Sequence, residues 1–439
     1  MPPTRVDHPG LGGDAGAVVR RLAALPGAAL HRLRRRDNPA AARPLRRHAR
    51  VLMRALRQRL VAGNDVQLLL DGPATYAAMF EAIDAARDHI NLESYIVEAD
   101  GPGEQLAERL LAKCREGVKV NLLFDGFGSR GTRSAYFERL RAGGVRVCEY
   151  NPLRSWRSVF SRAVHLRDHR KLLVVDGRVA FVGGVNISGV YSAGSSAEHP
   201  RRGADAAGGV APWRDTHVRI AGPLVAELQA LFIAHWNRHA DCAIQPATYL
   251  PPLTPAGHYR AAVASCVAGR RRNPFYRALL KAIDAAQAQV YVTTAYFVPT
   301  RRLLRALAAA ARRGVDVRLV LPSESDAWAP LHAGRSHYGR LLQAGVRVFE
   351  RQGALLHAKT TVIDGVWATV GSANLDWRSF VHNAEANAIV LDADFGAQME
   401  AVFLHDVAAS REVTLQEWHA RGWLRRMQEG LARRFEFLL

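Results

Sequence analysis

Two stretches of the chain carry residues that could do chemistry, and they carry them at the same spacing. The first reads His169-Arg-Lys171-Leu-Leu-Val-Val-Asp176-Gly177 and continues to Gly183-Gly184-Val-Asn186. The second reads His357-Ala-Lys359-Thr-Thr-Val-Ile-Asp364-Gly365 and continues to Gly371-Ser372-Ala-Asn374. They align without a gap over 18 residues. His and Lys two apart on a strand project from one face. Asp-Gly between two β-rich runs signals a hairpin. The glycines that close the returning strand let backbone approach a ligand, with Asn186 and Asn374 just beyond. Each hairpin thus offers an imidazole, an ammonium and an amide.

Two such sets suit substitution at a phosphodiester. A neutral imidazole can attack phosphorus and form a covalent phosphohistidine, splitting a hard displacement into two easier ones. A second, protonated imidazole can give its proton to the leaving alkoxide and then deprotonate the incoming alcohol or water. Ammonium and amide groups hold the non-bridging oxygens, whose charge a metal ion would otherwise neutralise. An ordinary His pKa of about 6.5 permits opposite protonation states at neutral pH once the two surroundings differ.

These residues need elements to hold them, and an internal repeat supplies the elements. AIDAARDHINLESYIV (82–97) resembles AIDAAQAQVYVTTAYFV (282–298). EGVKVNLLFD (116–125) resembles RGVDVRLVLP (313–322), and AGGVRVCEY (142–150) resembles AGVRVFE (344–350). Each half alternates strands with helical segments, which argues for βαβ units and a largely parallel sheet. Two copies imply a pseudo-two-fold, and a site on it would receive matching residues from each half.

Composition agrees. The 439 residues are 49% hydrophobic and 23% charged, as in a well-cored globular chain long enough for two domains. Sixty Lys+Arg against 40 Asp+Glu leave a formal charge of +20, which points to anionic partners. Only five of the cations are lysines (Lys113, Lys119, Lys171, Lys281, Lys359), yet two occupy the same place in the two motifs. A compact ammonium differs from a planar guanidinium fork, so these positions read as requiring it. Cys114, Cys148, Cys242 and Cys266 lie far apart, which argues against a zinc site or a disulfide framework. No run approaches the roughly 18 apolar residues of a membrane-spanning helix.

The paired HxKxxxxD motifs resemble the HKD signature of the phospholipase D superfamily. Their flanks, HRKLLVVDGRVAFVGGVNISGVY and LLHAKTTVIDGVWATVGSANLDWRSFVHNAEA, resemble bacterial cardiolipin synthases, from about Gly63 to at least residue 405. The resemblance implies an α/β fold of two similar phospholipase D-like domains, each a mixed sheet sandwiched by helices. A pseudo-two-fold would relate them, with one shared active site at their interface. It further implies that two phosphatidylglycerols condense to cardiolipin and glycerol through a phosphatidyl-histidine, with no cofactor and no metal. Many members carry two N-terminal membrane helices. This chain resembles the shorter branch that attaches peripherally, at the cytoplasmic face of the bacterial inner membrane.

The same resemblance implies roles. By the family's habit of using the N-terminal His, His169 would be the nucleophile and His357 the acid/base. Lys171, Lys359, Asn186 and Asn374, with Ser372, would bind phosphoryl oxygens. Gly184, at the Ser372 position of the first half, would be its phosphate-binding counterpart, though without a hydroxyl. Asp176 and Asp364, beside the turns, would brace the hairpins. The family also has an acid downstream of each hairpin that orients a His, as in triads. Glu385 fits that role, with Asp215 as its counterpart.

Four segments are expected: a basic, disordered tail over 1–43, domains over 44–245 and 246–410, and a basic amphipathic helix over 411–439. Residues 1–60 hold 14 arginines against three acids and could dock on anionic lipid. On the C-terminal helix Trp423, Leu424, Met427, Leu431, Phe435 and Leu438 form one stripe, suited to a membrane or to the core. In the insertion 151–168, Arg154, Trp156, Arg157 and Phe160 read as membrane or headgroup contacts. Arg335 and Tyr338, past a strand's carboxyl end, are further headgroup candidates. The insertion 192–212 reads as a mobile loop near the site mouth. The partners implied are phosphatidylglycerol and an anionic membrane surface, with no nucleic acid; the oligomeric state stays open. A phospholipase D or phosphodiesterase that hydrolyses lipid or nucleic acid would use the same histidines and is the rival reading.

Overall fold

The computed structural model describes residues 39–152, 165–195, 212–269 and 273–438. A helix, α1 (Pro39–Leu56), precedes two copies of one unit. In the first copy β1 (Val61–Leu70), β2 (His89–Ser94), β3 (Lys119–Asp125) and β4 (Arg146–Tyr150) alternate with α2 (Asp71–Asp84), α3 (Gly101–Arg115) and α4 (Ser134–Ala142). The hairpin β5 (Lys171–Val175) and β6 (Val179–Gly183) follows, then β7 (Trp213–Arg214), β8 (Thr216–Ala221) and α5 (Val225–His239).

The second copy runs β9 (Tyr259–Cys266), α6 (Pro274–Ala285), β10 (Gln289–Thr294), α7 (Arg301–Arg312) and β11 (Asp316–Pro322). It continues through α8 (Trp328–Arg335), α9 (Tyr338–Gln343), β12 (Arg347–Arg351) and β13 (Leu355–Leu356). The hairpin β14 (Lys359–Ile363) and β15 (Trp367–Gly371), then β16 (Glu385–Leu391) and α10 (Ala393–Ala408), complete it. Last come β17 (Ser410–Val413), α11 (Leu415–Ala420) and α12 (Trp423–Arg434).

Fifteen of the described strands form one sheet, in the order β17-β12-β11-β10-β14-β15-β16-β9-β1-β8-β6-β5-β2-β3-β4. Crossover helices make β2, β3 and β4 parallel, as they do β10, β11 and β12. The hairpins enter antiparallel, so each half is mixed. The halves fuse where β1 lies antiparallel to β9. On one face α5 and α10 cover a core shared by both halves, with Leu172, Val218 and Phe232 meeting Val362, Phe395 and Phe403 in one cluster. The other face carries a separate cluster for each half. A strand buried on both faces must be apolar almost throughout, which explains why β5 reads Lys-Leu-Leu-Val-Val.

Three expected boundaries change. Residues 39–43 are helical, the start of α1, and not tail. Nor does α1 belong with the first half: Leu52 and Ala55 are buried with Leu279 and Ile283 of α6. The segment 411–439 is not one helix. Ser410–Val413 pairs with β12 at the sheet edge, and a Thr414/Glu417 capping box then starts a new helix. Residues 1–38, most of 151–168 and most of 192–212 lie outside the described residues.

Each motif aspartate sits at a left-handed turn position, Asp176 at φ 53° and Asp364 at φ 51°, each followed by a left-handed glycine. The Asp176 carboxylate accepts the N–H groups of Arg87, Asp88 and His89, and Asp364 accepts those of Gln287, Ala288 and Gln289. Each carboxylate thus ties its hairpin to the start of the adjacent antiparallel strand, β2 or β10. Asp364 has a second load, since His48 Nε2 (2.8 Å) and Arg47 (2.5 Å) of α1 also reach it. Burial opposes its ionisation, but the His48 bond and the backbone donors outweigh that and bring it down to about 2. A depressed carboxyl stabilises the fold above its unfolded pKa, and that contribution is lost as pH falls through the folded one. Asp364→Asn is therefore expected to cost roughly 2 kcal/mol at pH 7. In urea titrations the deficit should shrink below about pH 4 and vanish only below about pH 2, as the parent carboxyl itself becomes protonated.

Candidate active site

At the start of each hairpin the backbone pairs with the opposite half. Leu355–Leu356 runs parallel to Trp213–Arg214, and Asp168 bridges Ala384 in the same sense. The His357 N–H donates to Arg214 O (2.8 Å), and the His169 N–H to Ala384 O (2.9 Å). One residue beyond each acceptor stands a carboxylate, so the halves exchange acids. His357 Nδ1 lies 2.6 Å from Asp215 Oδ2, and His169 Nδ1 lies 3.1 Å from both oxygens of Glu385. With Nδ1–H held by a carboxylate, each ring keeps the Nε2 lone pair.

The two carboxylates are supported differently. Glu385 accepts hydroxyl bonds from Ser372 (2.5 Å) and Ser379 (2.8 Å). Burial opposes its ionisation, but His169, Lys171 and Ser372 outweigh it and hold the carboxyl below the usual range. Asp215 accepts the Thr216 N–H (2.7 Å), and burial pushes it up against the pull of Lys359. Its backbone is pinned by Asp71, whose φ of 62° turns the chain where β1 ends; Asp71 Oδ1 accepts the Asp215 N–H (2.9 Å). Next to it, Arg214 forms a buried fork with both oxygens of Asp406 (3.0 and 2.9 Å).

These contacts correct two expected phosphate ligands. The Ser372 hydroxyl donates to Glu385 and accepts the Ala386 N–H (3.1 Å), so it serves the acid and not a phosphoryl oxygen. Gly184 is no phosphate ligand either. Its N–H donates to Thr216 O (3.0 Å), and a Cβ there would stand 2.1 Å from Asp215 Oδ1. Glycine is required so that Asp215 can approach; this is the asymmetry that the Gly/Ser pair marks in sequence.

Lys171 and Lys359 are almost wholly buried, and each donates one N–H to the carbonyl of its own histidine, Lys171 at 2.7 Å. Two further donors remain on each ammonium. Burial, with the other lysine nearby, lowers Lys171 to about 7 despite Glu385; burial lowers Lys359 to about 8 against Asp215 and Glu385. Burial also lowers His169, with Glu385 opposing, and lowers His357 well below the usual histidine value, where both lysines add to the effect. The site therefore sets two neutral imidazoles beside two buried ammonium groups whose remaining N–H donors are available to an anion.

His169, His357, Asn186 and Asn374 line one cleft of about 450 Å³. Asn186 is already engaged at both ends, accepting the Ile96 N–H and donating to the Tyr191 hydroxyl. Asn374 Oδ1 is buried with no partner among the described residues. Arg335 and Tyr338 are not in this cleft. Arg335 pairs with Glu350 (2.9 Å) beside a separate cavity of about 530 Å³, and Tyr338 is buried against Trp418. Arg335 also donates to Ser323 O (2.8 Å), just past β11. Arg154, Trp156, Arg157 and Phe160 lie outside the described residues.

Several cleft residues carried too little signal to be found. The Tyr191 hydroxyl is 3.2 Å from His357 Nδ1, and Tyr95 sets its ring edge-on to His169 and 5.1 Å from the Lys171 ammonium. Arg130, Arg167 and Arg378 line the cleft, as does Asp376, which burial raises to about 6. Tyr191, Asp376, Arg378 and Ser379 fall within the motif flanks that carry the family resemblance. Asp71 had only a Leu-Leu-Asp-Gly-Pro turn to announce it.

Comparison with known proteins concurs. The family described as "Cardiolipin synthase, PLD-like domain" matches residues 79–192 and 279–407. Cardiolipin synthase A of Pseudomonas putida is 36% identical over 362 residues, 81% of this chain and 71% of that protein. A cardiolipin synthase of Alkalihalophilus pseudofirmus is 32% identical over 378 residues, 86% of this chain and 72% of that one. Among solved structures, the phosphatidylserine synthase of Haemophilus influenzae Rd KW20 matches with a TM-score of 0.67. It covers 89% of this chain and 100% of its own at 14% identity, a likeness of fold.

Proposed function

The chain belongs to the cardiolipin synthase family of phospholipase D-like proteins, and we propose that its cleft moves a phosphatidyl group between two phospholipids. His169 Nε2 attacks the phosphorus of phosphatidylglycerol as the P–O bond to glycerol breaks. His357 gives its Nε2 proton to that departing oxygen. A hydroxyl of the second lipid's headgroup then attacks the phosphatidyl-histidine, its proton passes to His357, and the P–N bond breaks. Cardiolipin and free glycerol result, and the enzyme returns unchanged.

One observation supports this reading above the others: two imidazoles, each backed by the opposite half's carboxylate, open on one cleft, and a buried ammonium group holds the carbonyl of each histidine. An ionised Glu385 beside His169 favours the positive charge that a phosphohistidine carries. The phosphodiester anion favours protonation of His357, so the acid's proton arrives with substrate, and an imidazole of low basicity gives it up readily. The chain would work peripherally at the cytoplasmic face of the inner membrane, and among the described residues no helix is long and apolar enough to cross a membrane.

The test is phosphatidylglycerol vesicles without divalent cation, followed by lipid analysis. Cardiolipin with glycerol is expected. Phosphatidic acid alone would replace transfer by hydrolysis, and DNA cleavage without lipid turnover would remove both. A pH profile checks the lysines. Each contributes only while protonated, and in the free enzyme protonation is lost at about 7 for Lys171 and about 8 for Lys359. Hence kcat/KM should fall as pH rises through that window, well before an ordinary lysine near 10.4 would titrate. Lys171→Arg should lose the lower step, because a guanidinium does not titrate there, while turning over more slowly.

A further inference from the structure

Among the described residues, the large apolar side chains more than a third exposed are Trp328, Leu415, Trp423, Met427, Leu431, Phe435 and Phe437. They gather at one end of the second half. Trp423, Met427 and Leu431 stand four residues apart, one line along α12, at 67, 60 and 57% exposure. Phe435 and Phe437 follow the line past the helix end, and Trp328 belongs to α8, which packs against α12.

The orientation of α12 is set from its inner side. Ala432 packs on Val298 and Ala333, and Glu429 is buried in an ion pair with Arg421 (3.0 Å). An ordinary surface helix buries its large apolar stripe; this one turns Glu429 and the small Ala432 inward and the large apolar stripe outward. Core packing, one of the two uses open to this stripe, is therefore excluded for Trp423, Met427 and Leu431. Two links tie the helix to the cleft. Trp377 packs on the Val298–Ala333–Ala432 cluster and stands between the cleft residues Asp376 and Arg378. α8 begins two residues after Asp326, also a cleft residue.

We propose that α12 seats the enzyme in a bilayer of anionic phospholipid, with the stripe at the acyl boundary and the exposed Arg433 and Arg434 among the phosphates. Charge favours this occupant, since a chain of net +20 is drawn to an anionic surface and repelled by a second copy of itself. The proposal rests on a lipid substrate, which would pass from that bilayer over the rim into the cleft.

The test substitutes Met427→Asp together with Leu431→Asp in the full chain. Three readouts are compared with the parent: sedimentation with phosphatidylglycerol–phosphatidylcholine vesicles, turnover of vesicular phosphatidylglycerol, and turnover of a short-chain phosphatidylglycerol dissolved as monomers. Vesicle binding should weaken about 100-fold, with vesicular turnover falling alongside it. Turnover of the dissolved lipid should be unchanged. Trp423→Ser offers the same readout through a single exposed residue should the double variant fail to fold. Unchanged vesicle binding overturns the proposal, and so does a parent dimer that the substitutions merely convert to monomers. If neither lipid is turned over but vesicle binding still collapses, the surface stands and the transferase reading falls.

Discussion

His169→Ala is expected to abolish phosphatidyl transfer and the covalent label together, a loss of roughly 10⁴–10⁶-fold in kcat. The other imidazole of the cleft, His357, stands beside a carboxylate that burial pushes up, whereas Glu385 beside His169 is held below the usual range. His357→Ala should be as inactive on phosphatidylglycerol, for a different reason: glycerol alkoxide is a poor leaving group without a proton. A phosphatidyl ester of p-nitrophenol separates the two. Its leaving group departs as a stable anion, so His357→Ala should release one equivalent of nitrophenolate and then stall as phosphatidyl-His169, lacking a base to activate the acceptor. His169→Ala should release none. The measurement is burst amplitude together with a radioactive phosphorus label that stays on the protein after denaturation at alkaline pH. A burst in His169→Ala and none in His357→Ala would exchange the two roles.

What could be read before any coordinates was what lies close along the chain. His169, Lys171 and Asp176, and their second copies, are fixed relative to one another by a strand and a turn, so spacing alone places them on one hairpin. The βαβ alternation and the duplication are equally local. The pairing of His with acid was not legible in this way. Glu385 is close in sequence to the second motif, yet it serves the first motif's histidine. That exchange depends on Asp168 bridging Ala384 and on Leu356 lying beside Arg214, long-range pairings that no periodicity encodes. The place of α1 was hidden for the same reason, since an arginine-rich amphipathic run looks alike whether it lies on lipid or on α6. Composition marked the α12 stripe as apolar but could not say which way it faces; the buried Glu429 and Ala432 decide that.

The exchange of acids carries the second large expectation. Glu385→Gln should cut kcat by about 10⁴, the scale seen when an orienting carboxylate becomes an amide. The Ser372 and Ser379 hydroxyls both donate to this group, so the amide oxygen has competing donors and the amide nitrogen can turn to His169. It would then donate to Nδ1 and move the ring proton to Nε2, removing the lone pair that attacks. The defect lies in bond formation to phosphorus, so the p-nitrophenyl ester should not relieve it and no burst should appear. Asp215→Asn should impair His357 instead, leave the burst with the activated ester largely intact, and slow only the later turnover. Gly184→Ser is a milder probe of the same pair, since its side chain would enter the space that Asp215 occupies. It should resemble Asp215→Asn although it stands 173 residues from His357 in sequence. If each acid served the histidine of its own half, the two patterns would be reversed: Glu385→Gln would keep its burst and Asp215→Asn would lose it.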